Sequence, residues 1–480
     1  MRSITAISLV SLCNSIFATG TAAQALNATL LGLVRARMSD SALLSWEAGT
    51  RAETILEVDF PKLSVFGSDY LSTDLPYTTT ALEPLLSIAR TAVNNRAEGS
   101  EQLWGAGTSA GDPASLGVAV LLGNWTNASG AVYSQAAQQQ LDLLMTGTPR
   151  VASGLAAGAI SHRADSVALW SDFMYMVPPF LAYYGAVTQN ASLILESYNQ
   201  ISLYRDALFS PNVSLWQHIY CPGAYSSSVN NFNDTGHWAT GNGWAAAGML
   251  RVLATMKNSP WSSQFQTQQT DLSNWITEIH TGMTNVLPTS GIFNNYVDVA
   301  DGVRVPSLPK GDHATNFPDA SGTAIFAATV YRHITLSNPG SYDKILAAAE
   351  KVRGALYATN GTTHFDANGW LTPVVDPHQF ARAGNYSDEA QSFVLQLDNN
   401  WKAWAATEGK SSVGGGLTGA VDNSGNSDNS AISGAGRGQG GLVAVTPKVV
   451  AAALCAGVMI SAWDGLVEDL AEWGIMNALA

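Results

Sequence analysis

Gly243-Trp244-Ala245-Ala246-Ala247-Gly248-Met249-Leu250-Arg251-Val252-Leu253 carries one charge, on Arg251, in a run that is otherwise apolar or small. A helix with so little polar surface must be covered on most sides. Apolar residues recur at i, i+3/i+4 spacing in this segment (238–257) and in eleven others: 26–38, 40–55, 78–98, 112–123, 130–146, 168–187, 190–208, 262–287, 320–337, 341–358 and 386–406. Stretches rich in Gly, Pro, Asn and Ser separate them. Strand-like alternation is sparse, limited to short runs such as 291–293 and 371–375. Twelve helices, several covered nearly all round, predict two concentric rings: an all-α (α/α)6 barrel of six helical hairpins. An α-solenoid is the rival architecture, but no fixed-period repeat supports it.

Of the 480 residues, 46% are hydrophobic and 12% charged, which fits a large buried core and argues against disorder over most of the length. The net charge of -14 and the lack of a basic run argue against nucleic acid as a partner. Residues 1–23 read as a signal peptide: Arg2, an apolar stretch from Ile4 to Phe17, then Thr21-Ala22-Ala23. Eight N-x-S/T sequons, at Asn27, Asn124, Asn127, Asn190, Asn212, Asn233, Asn360 and Asn385, agree with a secreted glycoprotein. Once Cys13 leaves with the signal, Cys221 and Cys455 remain, too few for a disulfide framework and without zinc-like spacing.

The barrel is expected over 24–408. Sixteen of the 31 residues in 411–441 are Gly or Ser, the composition of a flexible linker. Within the tail, 442–480, residues 449–463 carry no charge. That run is short for a membrane span. The tail reads either as a helix docking on the barrel or as an attachment to the cell surface. Asp464, Glu468, Asp469 and Glu472 depart from a lipid-anchor signal.

Three patterns carry candidate chemistry. In Trp170-Ser171-Asp172-Phe173-Met174-Tyr175-Met176-Val177-Pro178-Pro179-Phe180 an acid stands among aromatic and apolar residues. Such surroundings raise a carboxyl pKa, as a general acid requires. The competing reading is a helix cap, with the two prolines excluded from a helix interior. In His237-Trp238-Ala239-Thr240-Gly241-Asn242-Gly243-Trp244 two tryptophans flank a Gly-Asn-Gly turn. Indole faces suit sugar C–H faces, and an amide suits hydroxyls; two core tryptophans at the start of a helix are the alternative. In Gly111-Asp112-Pro113 the acid precedes a proline that fits the first helical position, so by itself it reads as a cap. His162 and His218 also lie near segment ends.

Together these tracts resemble the unsaturated rhamnogalacturonyl hydrolase family and, more distantly, the unsaturated glucuronyl hydrolases. Trp170–Phe180 resembles W-x-D-x-x-Y-M-x-x-P-F, and Trp238–Trp244 resembles W-x-R-G/A-N-G-W. Asp319-Ala320-Ser321-Gly322-Thr323-Ala324 and Ser387-Asp388-Glu389-Ala390-Gln391-Ser392-Phe393 are similar to two later signatures. The resemblance spans roughly residues 80–406 and agrees with an (α/α)6 barrel. It implies hydration of a 4,5-unsaturated uronic acid at the nonreducing end of an oligosaccharide left by a lyase, with no metal or organic cofactor. It carries the general-acid role to Asp172 and a second acid to Asp112. Substrate contacts carry over to Trp170, His162, Tyr175, His218, Trp238, Asn242 and Trp244. One position departs: Thr240 stands where the family has an Arg suited to the substrate carboxylate. Either another cation, such as Arg163, replaces it, or the substrate differs. A saturated glycan, or glycan binding without turnover, are the other outcomes that this departure leaves open.

Overall fold

The structure is a computed structural model. It describes residues 25–408 apart from 41, 68–69, 72–75, 106, 127–129, 223–231, 310–314 and 341. The expected signal peptide, linker and C-terminal tail lie outside the described residues. All twelve predicted helices form: α1 Ala28–Arg37, α2 Ser45–Asp59, α3 Glu83–Asn94, α4 Gly117–Trp125, α5 Gly130–Asp142, α6 Phe173–Val187, α7 Ala191–Leu208, α8 Ala239–Asn258, α9 Gln266–Asn285, α10 Ala320–Ser337, α11 Asp343–Leu356 and α12 Asp388–Thr407. A 3-10 turn, Asp112–Leu116, leads into α4.

The even-numbered helices make the inner ring. Each packs on the next, α2 on the turn before α4, then α6, α8, α10 and α12, and α12 returns to α2. The odd-numbered helices lie outside, and α1 closes the circle by pairing with α12. Burial follows the same division. Every residue of α8 from Ala239 to Met256 is buried, whereas α3 buries one stripe made of Leu85, Leu86, Ile88, Ala89 and Ala92. The solenoid alternative fails because the ring closes.

Pro178 and Pro179 lie inside α6 rather than ending it, contrary to the expectation that they are excluded from a helix interior. Pro178 has no N–H for the Met174 carbonyl. Neighbouring α8 presents Gly248 there: a Cβ at Gly248 would overlap the Met174 oxygen, so the hydrogen carried in its place points at that carbonyl. The glycine thus sets the α6–α8 spacing and covers a carbonyl that the proline leaves open.

Arg251, the lone charge of the deciding segment, is buried among acids of α2. It pairs with Glu57 and lies 3.6 Å from Glu53, while Arg332 of α10 reaches Glu57 at 3.4 Å. Its guanidinium sits 4.3 Å from the centre of the Tyr175 ring. Burial lifts the Glu53 carboxyl to about 7 against the pull of Arg251.

Short antiparallel strand pairs decorate the helix ends: β1 (Leu169–Trp170) with β4 (Ile219–Tyr220), β2 (Phe209–Ser210) with β3 (Leu215–Trp216), and β5 (Val374–Asp376) with β6 (Gln379–Gly384). Of the short runs noted in the sequence, 371–375 contributes to β5, while 291–293 forms no strand. Two sequon asparagines have local work: Asn27 and Asn190 cap α1 and α7 through their side-chain oxygens.

Replacing Arg251 by Met leaves Glu57 buried with one partner fewer. The Arg251→Met protein is expected to lose about 3–5 kcal/mol in urea denaturation. Adding Glu57→Gln should recover part of that loss; a single variant as stable as the parent would refute the role of this cluster.

Candidate active site

The six inner helices begin at one end of the barrel. Trp46 lies in the first turn of α2, Asp112 opens the turn before α4, and Asp172 is the N-cap of α6. Trp238 is the N-cap of α8, Ser321 lies in the first turn of α10, and Glu389 in that of α12. All six side chains line one cleft. Helix N-termini carry unpaired N–H groups and partial positive charge. Their convergence makes the cleft more hospitable to an anion than the acidic chain as a whole.

Asp172 does not cap α6 with its side chain, and 18% of that side chain is exposed. Its Oδ2 lies 3.5 Å from His218 Nε2. Backbone pairing fixes this meeting, since β1 and β4 are hydrogen-bonded neighbours and the Ser171 N–H donates to the His218 carbonyl at 2.9 Å. On its far side, His218 Nδ1 lies 2.9 Å from Asp234 Oδ2, which also accepts from the Tyr296 hydroxyl at 2.6 Å.

The raised carboxyl expected at Asp172 is not found. Burial does push it up, but the hydrogen-bonding and charged His218, with His162 beyond, more than offsets this and leaves it below the usual carboxylate range. The converse holds for His218: burial opposes its charge, yet Asp172 and Asp234 bring it up to about 9. The proton therefore resides on the imidazole, and the two groups titrate as a pair.

Asp112 is also turned into the cleft rather than capping its own turn, with Oδ1 3.3 Å from His162 Nε2. The His162 ring stacks on Trp170 at 5.3 Å between centres, and Trp170 in turn meets the His218 ring edge-on at 5.6 Å. Trp170, Trp238, Trp244 and Phe380 wall the cleft, and Phe380 lies edge-on to His218 at 4.5 Å.

Three expected sugar contacts are corrected. Asn242 commits its amide to the backbone, accepting from Trp216 N–H at 2.8 Å and donating to the Trp216 and Trp238 carbonyls. Tyr175 packs beneath the cleft against Trp244 and Arg251. His218 lies behind Asp172, its side chain fully buried, and acts on the carboxyl rather than on the cleft surface.

At the position of the expected Arg, the Thr240 hydroxyl donates to Asp319 Oδ2 at 3.2 Å and lies 3.3 Å from the Ser321 hydroxyl. Arg163 does line the cleft, with Nε 3.3 Å from Asp165. Opposite, the Glu389 carboxyl accepts from the Trp46 indole N–H and the Ser387 hydroxyl, each at 2.7 Å. Burial and the neighbouring Glu47 raise it to about 8. His378, from the turn between β5 and β6, reaches Glu47 at 3.1 Å, and this hydrogen bond favours its charged form. Sequence reasoning missed Trp46, His378, Phe380 and Asp234. Trp46 lies inside a predicted helical segment, whose period does not tell a cleft-facing residue from a core one; Asp234, His378 and Phe380 reach the site from a loop or hairpin, where no period marks them.

The sequence model described as Glycosyl Hydrolase Family 88 matches residues 72–374, well over half of the chain. No curated protein sequence matches. Among solved structures, a possible member of family GH105 from Salmonella enterica serovar Paratyphi A is similar at a TM-score of 0.56 and 14% identity, covering 78% of this chain and 92% of that one. A C. acetobutylicum glycoside hydrolase from family 105 is similar at 0.55 and 13% identity, with 78% and 99% covered. A family 88 glycosyl hydrolase from Bacteroides vulgatus is similar at 0.50 and 16%, with 78% and 99% covered. At these identities the solved structures speak for the fold alone, an (α/α)6 barrel. The match along the sequence goes further: the chain belongs to glycosyl hydrolase family 88 and is a glycoside hydrolase.

Proposed function

We propose that this hydrolase removes a 4,5-unsaturated uronic acid from the nonreducing end of lyase-generated pectic or related oligosaccharides by hydrating its enol ether. The observation that carries the reading is the meeting of Asp172 and His218 in an aromatic cleft, a carboxyl backed by a stored proton.

The unsaturated ring lies against the indole faces, with C4 toward Asp172. A uronate brings its own negative charge beside the Asp172 carboxylate. Like charges at close range raise a carboxyl pKa. Substrate entry thereby draws the proton from His218 onto Asp172, which delivers it to C4. The resulting cation at C5 is shared with the ring oxygen. Water adds at C5 as Asp172, again a carboxylate, takes its proton. The hemiketal then opens and releases the next sugar. Asp112, held against His162, is placed to orient the water or a ring hydroxyl.

Thr240 cannot grip the carboxylate as an arginine would. The helix N-termini and Arg163, which lines the cleft, supply positive potential instead. Retention of two cleft carboxylates and a charged imidazole favours turnover over glycan binding alone. The signal-like start and the sequons support action outside the cell.

Lyase-generated pectic or glucuronan oligosaccharides should lose their double-bond absorbance when incubated with the protein. Cleavage of saturated oligomers only would contradict the reading. Asp172→Asn should lower kcat at least about 100-fold, the scale of a general acid, with little change in thermal stability. Asp112→Asn should lower kcat less; a mutant as active as the parent would remove Asp112 from the chemistry.

A further inference from the structure

The chemistry just described gives no task to Asp234, which is fully buried behind His218. Its Oδ1 accepts the Gly236 N–H at 3.0 Å; its Oδ2 accepts the Tyr296 hydroxyl and faces His218 Nδ1. The imidazole therefore lies between two carboxylates, hydrogen-bonded to Asp234 at 2.9 Å and within ion-pair distance of Asp172 at 3.5 Å. A neutral imidazole has one N–H and would turn a lone pair toward one of them. Only the doubly protonated ring turns an N–H toward each. Among the described residues, the rings packed on His218 are Trp170 from β1, Trp238 from the start of α8 and Phe380 from β6, none of which titrates. His162 acts from beyond Asp172.

We propose that Asp234 is a positioning residue that keeps His218 charged and aims its Nε2–H at Asp172, so that the buried pair stores the proton used in catalysis. This rests on the hydration reading for its use, though not for its geometry. In the cycle, the Nε2 proton passes to Asp172 Oδ2 and on to C4, where the C4=C5 electron pair forms the new C–H bond. Water supplies the oxygen at C5, and its proton returns through Asp172 to Nε2. Nothing beyond substrate and water is consumed.

Two readouts on the full-length protein test this. NMR of labelled histidine, with His218→Gln for assignment, should give a His218 midpoint near 9 in the parent. A raised imidazole pKa means that the proton is lost as pH climbs through that value. Removing the Asp234 charge therefore moves the loss to lower pH. Asp234→Asn should lower the midpoint by about one unit or more and shift the alkaline limb of kcat/KM by the same amount. Asp234→Glu should restore both. An unmoved midpoint in Asp234→Asn overturns the proposal, whatever its stability. Should that variant not fold, Tyr296→Phe decides: it frees Asp234 from a competing donor, so the midpoint should rise, and no change overturns the proposal. A parent that turns over no unsaturated oligosaccharide would sink the hydration reading alone, because the titration still decides the role of Asp234.

Discussion

The helices at the centre of this protein expose almost none of their surface, and the rest of the structure follows from that constraint. α6 and α8 bury almost every residue they contain. Such helices need neighbours all round, which a closed inner ring within an outer one provides. Their unpaired backbone groups are left at the ends, N–H at one and C=O at the other. Six N-termini therefore meet at one mouth, and the chemistry collects there because charge is tolerated where the helices open to the cleft.

Within the ring, charge survives in compensated groups. Arg251 with Glu53 and Glu57 ties α8 to α2 below the cleft; Asp172, His218 and Asp234 form a second cluster at its floor. The two differ in what they can do. Both carboxylates of the lower cluster are buried away from the cleft, so its ions serve the fold. Asp172 opens into the cleft, so its cluster can exchange a proton with a bound molecule.

The barrel was legible in the sequence because helical period and apolar content both report burial, and every predicted segment became a helix. Asp172 and Asp112 stood out as acids near helix starts and both face the cleft. The protonation of Asp172 was not legible. Local aromatic neighbours imply a raised pKa, but the deciding partner, His218, arrives through the β1–β4 pairing, and Asp234 stands behind it through a separate bridge to Ile219. Asn242 and Tyr175 were misread for a related reason. Membership of a motif does not say which way a side chain turns, and on a helix residues one or two apart point to different sides, so Asn242 and Tyr175 turn from the cleft that Trp244 and Met176 line. The hairpin residues His378 and Phe380 lie in the short β5–β6 pair, where no period marks them.

The central claim is spatial: the side chain at position 172 touches the sugar carbon that receives the proton. A crystal structure of Asp172→Asn holding an unsaturated uronyl disaccharide measures this directly. The account predicts the substituted amide at that position about 3–3.5 Å from C4, with the ring against Trp170 or Trp238. A disaccharide bound elsewhere, or one whose C4 faces away from position 172, would contradict it.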